Sequence, residues 1–281
     1  MEYATLQNGL KMPMLGYGTI GQAGEQIADN VAFALHHGYE LIDTANRYGN
    51  EVEVGRGLKK SGRRREEIFL ETKLGPTLYE NEAAIDGTLK RLGVDTIDLM
   101  ILHHPVNNYL YAYGMLERAY KAGKLRAIGV SNFYPDRLID LCQFVEVTPA
   151  VNQVETHVFQ QQKAAHEYME KYHVQHESWG PFAEGRKDFF TNPTLVEIGE
   201  KYGKSSAQVA LRFLLQSDVV VIPKSTHKER MEQNINVFDF TLSGEDMAAI
   251  RQLDEGESLF FSHYDPATVE MLTNMGKTRI V

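Results

Sequence analysis

Short apolar runs alternate with longer stretches of helical period along this chain, and the alternation predicts a fold. The runs are residues 14–17, 39–42, 68–71, 97–102, 125–130, 150–154, 174–178 and 219–222. Helical spacing fills residues 25–37, 51–60, 82–92, 110–121, 135–144, 162–171, 206–215 and 228–236. Gly38 and Gly123 follow helical stretches as stop signals, and Ser243 with Asp246 resembles a capping box. Eight strand-then-helix units predict one closed (β/α)₈ barrel, a TIM barrel. Ahead of it, Asn8-Gly9 between apolar flanks predicts a β-hairpin cap over residues 1–12. Residues 192–202 form a helix in excess of the count, and residues 240–281 a final helix with a short tail. No stretch rich in Pro, Gly or Ser divides the chain, so residues 1–281 read as a single domain.

A barrel of this kind carries its active site at the C-terminal ends of its strands. The second run ends in Asp43, the third in Lys73 and the fourth in His103, one strand-helix unit apart. Tyr48 lies five residues past Asp43, on the following loop. Taken singly, Asp43 and Lys73 could be a structural ion pair and Tyr48 a half-buried loop anchor. Four such groups at adjacent strand ends argue instead for one site. His104 follows His103 directly. Adjacent strand positions point to opposite faces, so the two histidines are not expected to share a role, and no third ligand has the spacing for a metal.

The chain resembles the aldo-keto reductases over nearly its whole length, including bacterial members that act on diketo-gluconate and glyoxal. Gly38-Tyr-Glu-Leu-Ile-Asp-Thr-Ala-Asn-Arg-Tyr-Gly-Asn-Glu51 is similar to the family's first signature. Gly129-Val-Ser-Asn-Phe133 is similar to its second, and Ile222-Pro-Lys-Ser-Thr-His-Lys-Glu-Arg230 with Asn234 to its third. Glu40 stands where the family usually has arginine, at a strand start away from the mouth.

The resemblance implies reduction of a small carbonyl compound by NADPH, with NADH weaker. Tyr48 would be the proton donor, Lys73 would lower its pKa toward the working range, Asp43 would hold Lys73, and His103 would bond the carbonyl oxygen. Ser131, Asn132 and Gln153 would hold the nicotinamide carboxamide, with Trp179 stacked on its ring and Gly180, Pro181 and Phe182 alongside. Gly18, Thr19 and Asp43 would lie beside the cofactor. Lys224, Ser225, Thr226, Arg230, Gln233 and Asn234 would take its ribose phosphate. The same motif positions place Ile20, Gly75 and His104 around the substrate, where members built for bulky substrates carry tryptophan.

Gly16-Tyr-Gly-Thr-Ile-Gly21 also matches the G-x-G-x-x-G dinucleotide fingerprint. Lys11-Met-Pro-Met14 is a poor central parallel strand to precede it, because proline cannot donate to the ladder. The segment from Lys224 to Arg230 suits a phosphate better, offering helix-start amides and cations.

Composition narrows the class further. A net charge of −9 argues against a nucleic-acid or anionic-membrane binder. The run Arg63-Arg-Arg65, followed by Glu66 and Glu67, reads as a solvated turn. One cysteine, Cys142 at helical spacing, fits a reducing compartment and a small buried hydrophobe. The opening MEYATLQNGLKM lacks the apolar core of a secretion signal, so a cytoplasmic chain is expected, and a monomer is expected beside that. Two rivals remain. A Schiff-base aldolase would use Lys73 as nucleophile and leave Tyr48 idle. A nucleotide-binding module like the channel-associated β subunits would have no need of the four-residue set.

Overall fold

The structure, a computed structural model, describes residues 1–277. β1 (Tyr3–Thr5) and β2 (Lys11–Pro13) pair antiparallel as the predicted hairpin. Its connection is longer than a two-residue Asn-Gly turn. Leu6 N–H donates to the Leu10 carbonyl at 2.9 Å, and Gly9 takes a φ of +83°. Asn8 donates its amide to the Arg126 carbonyl at 2.9 Å, which pins the hairpin under the barrel. The expected cap therefore forms, shifted to include Pro13.

Among the described residues, eight further strands make one parallel sheet in chain order. They are β3 (Gly16–Gly18), β4 (Leu41–Asp43), β5 (Phe69–Leu74), β6 (Ile97–Leu102), β7 (Leu125–Ser131), β8 (Val151–Glu155), β9 (Gln175–Trp179) and β10 (Val220–Val221). A parallel bridge between Leu15 and Val221 joins the last strand to the first. There Val221 N–H donates to the Met14 carbonyl at 2.9 Å, and Gly18 N–H to the Pro223 carbonyl at 3.1 Å. A side chain at Gly18 would place its Cβ 2.9 Å from the Ile222 carbonyl oxygen, so closure requires glycine there. The sheet closes, and the barrel is as predicted.

The helices follow in turn: α1 (Glu25–His36), α2 (Glu51–Lys60), α3 (Ala84–Leu92), α4 (Tyr109–Lys121), α5 (Pro135–Phe144), α6 (Lys163–Lys171), α7 (Pro193–Tyr202), α8 (Ser206–Gln216), α9 (Lys228–Ile235), α10 (Gly244–Arg251) and α11 (Pro266–Lys277). α2 shows why such a segment holds. Glu51 and Glu53 sit in its first turn and Lys59 and Lys60 in its last, opposing the helix dipole. Every residue of β5 and β6 is buried, and the apolar faces of the helices close over them. None of the described helices is long and apolar enough to cross a membrane.

Several expectations need correction. The tail carries α11, a helix of 12 residues, rather than only a short extension. The complete capping box lies at Ser205 and Gln208, at the start of α8. Ser243 caps α10 by accepting the Asp246 N–H at 3.1 Å, but its own N–H goes to the Tyr202 hydroxyl, so only half the box forms. Two of the three consecutive arginines are pins rather than solvated charges. Arg65 binds the buried Asp98 at 2.6 Å, and Arg63 donates to the Tyr39 carbonyl at 3.1 Å. Cys142 is half-buried, and burial pushes its thiol up to about 11, so no reactive thiolate forms.

Ser205→Ala deletes one half of the capping box and frees the Gln208 N–H. Unfolding should then need less denaturant, by about 0.5–2 kcal/mol of stability with the slope unchanged. An unaltered midpoint would show that solvent satisfies this helix start equally well.

Candidate active site

The register of the barrel gathers the predicted groups at one end. Asp43 ends β4, Lys73 lies one residue before the end of β5, and His103 follows β6. Lys73 is 1% exposed and Asp43 2%, so the ion pair between them is closed off from water. Lys73 Nζ also donates to the Thr44 carbonyl at 3.2 Å and sits 5.4 Å from the centre of the Tyr48 ring. Tyr48 occupies a short 3₁₀ turn, Asn46–Tyr48, whose Gly49 takes the left-handed conformation at φ +66°. Its ring meets that of His103 edge-on, with centroids 6.1 Å apart. All four groups converge.

Burial and charge compete at Tyr48. Burial alone raises the phenol, Lys73 pulls it back, and Asp43 and Glu71 push it up again. The outcome is about 12, above the ordinary 10. The expectation that Lys73 brings the phenol toward neutrality is thus not met by these residues alone, because desolvation outweighs the one cation. Lys73 itself is held above its ordinary value: burial opposes its charge, but Asp43, Tyr48 and Glu71 together outweigh that cost. Burial drives His103 well below the usual imidazole range, helped by His104 and Lys73, so its ring is neutral at pH 7.

His103 and His104 do not diverge as strand neighbours would. β6 stops at Leu102, and beyond it the two rings stack in parallel, 4.7 Å apart at 5°. The Tyr79 hydroxyl accepts the His104 N–H at 3.0 Å and donates to its carbonyl at 2.7 Å, which fixes this turn. Asn132, held at φ +62°, donates to the His103 carbonyl at 3.1 Å. Asparagine tolerates that left-handed backbone better than most residues.

The remaining predicted residues ring the same mouth. Thr19 is fully buried beyond β3, and its Oγ1 has no protein partner. Ser131 donates its hydroxyl to the Gln153 carbonyl at 2.8 Å. Trp179, ending β9, donates its indole N–H to Asn132 Oδ1 at 2.9 Å. Gly180, Pro181 and Phe182 continue from it, with Gly180 at φ +66°. Gly75 donates its N–H to Asn46 at 3.1 Å beside the Tyr48 turn, while Ile20 is 49% exposed on the loop after β3. Gln153 points into the barrel, where its amide nitrogen is taken by two carboxyl groups.

Past β10, Lys224, Ser225 and Thr226 lead into α9, which carries Arg230, Gln233 and Asn234. Ser225 and Asn234 are buried, while Lys224 and Arg230 are exposed, and neither cation has a carboxylate partner among the described residues. α9 has no side-chain cap, so its first amides remain available to an anion. Unpaired cations, free amides and the orphaned Thr19 hydroxyl on one rim suit a phosphorylated nucleotide cofactor.

Sequence reasoning missed what covers the mouth. Phe261 stacks on Trp179 with centroids 5.6 Å apart, and Phe260 meets the same indole edge-on at 5.3 Å. His263 Nε2 lies 3.2 Å from His104 Nδ1. Glu155, buried at the end of β8, anchors this strap by accepting the Leu259 N–H at 2.8 Å and bonding the Ser258 hydroxyl. The Phe260-Phe261 pair in an otherwise polar tail was the available signal. Glu71 and Glu177 were also passed over, although each lies within a predicted strand.

The mouth of this parallel barrel thus gathers an Asp–Lys–Tyr–His set at its strand ends and an anion-ready rim after the last strand. The chain matches the aldo/keto reductase family over residues 14–255. It is 42% identical to a glyoxal reductase of Bacillus subtilis, covering 90% of this chain and 92% of that one. It is 41% identical to a morphine 6-dehydrogenase of Pseudomonas putida, covering 89% and 90%. A Bombyx mori aldo-keto reductase solved in complex with NADP superposes with a TM-score of 0.86, at 29% identity over 96% of both chains. This chain belongs to the aldo/keto reductase family and is one of its oxidoreductases. The family reading of the three signatures holds.

Trp179 is the only tryptophan, so its emission reports the strap directly. Phe261→Ala should uncover the indole face and move the emission to longer wavelength. Emission identical to wild type would show that Phe261 does not cover Trp179 in solution.

Proposed function

We propose that this chain reduces small aldehydes or ketones to alcohols with NADPH, using Tyr48 as general acid. The observation that supports this most is the enclosed Lys73, in contact with Asp43 on one side and the Tyr48 ring on the other. NADPH, when bound, supplies the hydride. Lys224 and Arg230, with the first amides of α9, would hold its ribose phosphate, supported by Ser225, Thr226, Gln233 and Asn234. Gly18, Thr19 and Asp43 would border it, and Ser131, Asn132 and Gln153 would face the carboxamide. Trp179 would lie against the ring, with Gly180, Pro181 and Phe182 beside it. A monomer of one domain, residues 1–281, in the cytoplasm completes the reading.

Tyr48 delivers its proton to the carbonyl oxygen as that oxygen becomes an alkoxide. A phenol near 12 stays protonated throughout the neutral range, and an alkoxide is basic enough to take its proton. Lys73 stabilises the phenolate left behind, and Asp43 fixes Lys73 in place. Neutral His103 offers one N–H to the same oxygen and orients it. An aldolase would require an uncharged Lys73, whereas Asp43, Tyr48 and Glu71 all favour its charged form.

The substrate class follows from the walls. Ile20, Gly75 and His104 replace large aromatics, and each such loss forfeits part of the roughly 150–250 Å² an aromatic can bury. Small polar dicarbonyls should therefore be turned over better than large aromatic aldehydes, and the relative named glyoxal reductase supports this class.

Tyr48→Phe keeps the ring but removes the acid, and carbonyl reduction should fall by about 10²–10⁴ while NADPH still binds. Reduction at the wild-type rate would defeat the mechanism, as would a borohydride-trapped adduct on Lys73. Arg230→Ala should raise KM for NADPH and leave that for NADH nearly unchanged. Equal losses with both cofactors would show that the phosphate lies elsewhere.

A further inference from the structure

Beneath the Lys73–Asp43 pair, the barrel lumen holds two more carboxyl groups. Glu71 and Glu177 are both 0% exposed. Glu71 stands two residues before Lys73 on β5, on the same inward face, and is the register partner of Asp43 on β4. Glu177 lies across the barrel on β9, beside Gln153 on β8. Gln153 spans the space between them. Its one amide nitrogen donates to Glu71 Oε1 at 3.1 Å and to Glu177 Oε2 at 3.0 Å.

That bridge satisfies one oxygen of each carboxyl and leaves the other pair bare. Glu71 Oε2 and Glu177 Oε1 are buried with no donor. Both carboxyls accept from the same amide nitrogen, so they lie close together in the lumen, where burial raises Glu71 and the Glu177 charge raises it further. An ionised carboxylate only accepts, so two ionised groups here would leave two charged oxygens with no protein donor. The surrounding charge makes that worse. Asp43 faces the pair from β4 and the Tyr48 phenol from its turn, while Lys73 is the single cation acting on both. The neighbouring strands contribute Leu99 and Val220 in register, which carry no charge. Three buried carboxyls around one buried lysine disfavour full ionisation, and like-charge carboxyl pairs relieve this by keeping a proton between them.

We propose that Glu71 and Glu177 share a proton across the barrel lumen, and that this pair is a positioning element which fixes the charge on Lys73 and through it the acidity of Tyr48. The proposal rests on the reductase reading for its kinetic consequence, but not for the proton itself. One shared proton lets one bare oxygen donate and the other accept, so both are satisfied. It also limits the negative charge beneath Lys73 to that of Asp43 and one carboxylate. Neither glutamate touches substrate. Their influence reaches the chemistry through Lys73 and Tyr48, whose phenol Glu71 pushes upward.

Infrared spectroscopy of the folded enzyme tests the proton without any reaction. At about pH 8, ordinary carboxyls with pKa values of about 4 are ionised, so a protonated-carboxyl stretch stands out. Wild type should show that band, and the isosteric Glu71→Gln/Glu177→Gln variant should lack it. Should the double variant not fold, Glu71→Gln alone should largely remove the band, because the introduced amide replaces the shared proton as donor and burial holds the remaining Glu177 only near 7. Absence of the band in wild type, or its persistence in the variants, overturns the shared proton. The kinetic consequence is read separately. Burial pushes Glu177 up to about 7, with Asp43 adding to the shift, and it holds Glu71 well above the ordinary carboxylate range. As pH rises through about 7, the pair passes from two protons to the one it shares and gains a negative charge. That charge opposes phenolate formation on Tyr48, and carbonyl reduction by wild type should fall severalfold there. The double variant should pass through the same range without the step, and a step of equal size in it would overturn the coupling. Full reduction by Tyr48→Phe would instead defeat Tyr48 as the general acid and leave the infrared result standing.

Discussion

A lysine with 1% exposure is the constraint on which the rest of this structure depends. An ammonium group removed from water is unfavourable by many kcal/mol unless a counter-charge and hydrogen bonds replace the solvent. Asp43 provides the charge and the Thr44 carbonyl a further acceptor, and both are placed by the parallel pairing of β4 with β5. That pairing is part of a closed barrel, whose seam brings Gly18 against the Ile222 carbonyl. The site and the fold therefore stand or fall together. Removing Asp43 would strand Lys73, while removing Lys73 would leave three carboxyl groups in the lumen with no cation.

Much of this was legible in the sequence, because barrels place chemistry where apolar runs stop. Asp43, Lys73 and His103 each close or follow such a run, and the 30-residue spacing between them is one structural unit. The tail was less legible. Residues 258–264 have neither a helical nor a strand period, and their position is set by contacts with Glu155, Trp179 and His104 that lie far away in sequence. The stacking of His103 and His104 was illegible for a local reason. Strand alternation would send them to opposite faces, but the strand stops before them and a turn pinned by Tyr79 lets their rings stack. Arg63 and Arg65 misled in the same way, since a run of like charge gives no hint that buried Asp98 and a bare carbonyl await two of its members.

The electrostatics of the lumen reach further than four residues at the mouth. Tyr48 feels burial first, then Lys73, then Asp43 and Glu71, so its acidity is the sum of opposed effects that no single side chain determines. Gln153 belongs to this layer, because its amide nitrogen ties β5 to β9 beneath the ion pair. The strap of Phe260, Phe261 and His263 closes the same region from above, and it rests on residues that the family resemblance assigns to cofactor and substrate.

The account turns on Lys73 opposing the effect of burial on the Tyr48 phenol, and titrating that phenol tests it most directly. With tyrosine labelled at its ring carbon beside the hydroxyl, NMR can follow Tyr48 through alkaline pH, the signal being assigned by its loss in Tyr48→Phe. The account predicts a midpoint near 12 in the wild-type chain and a higher one in Lys73→Met, where burial acts without the cation. An unchanged or lower midpoint in Lys73→Met would contradict it.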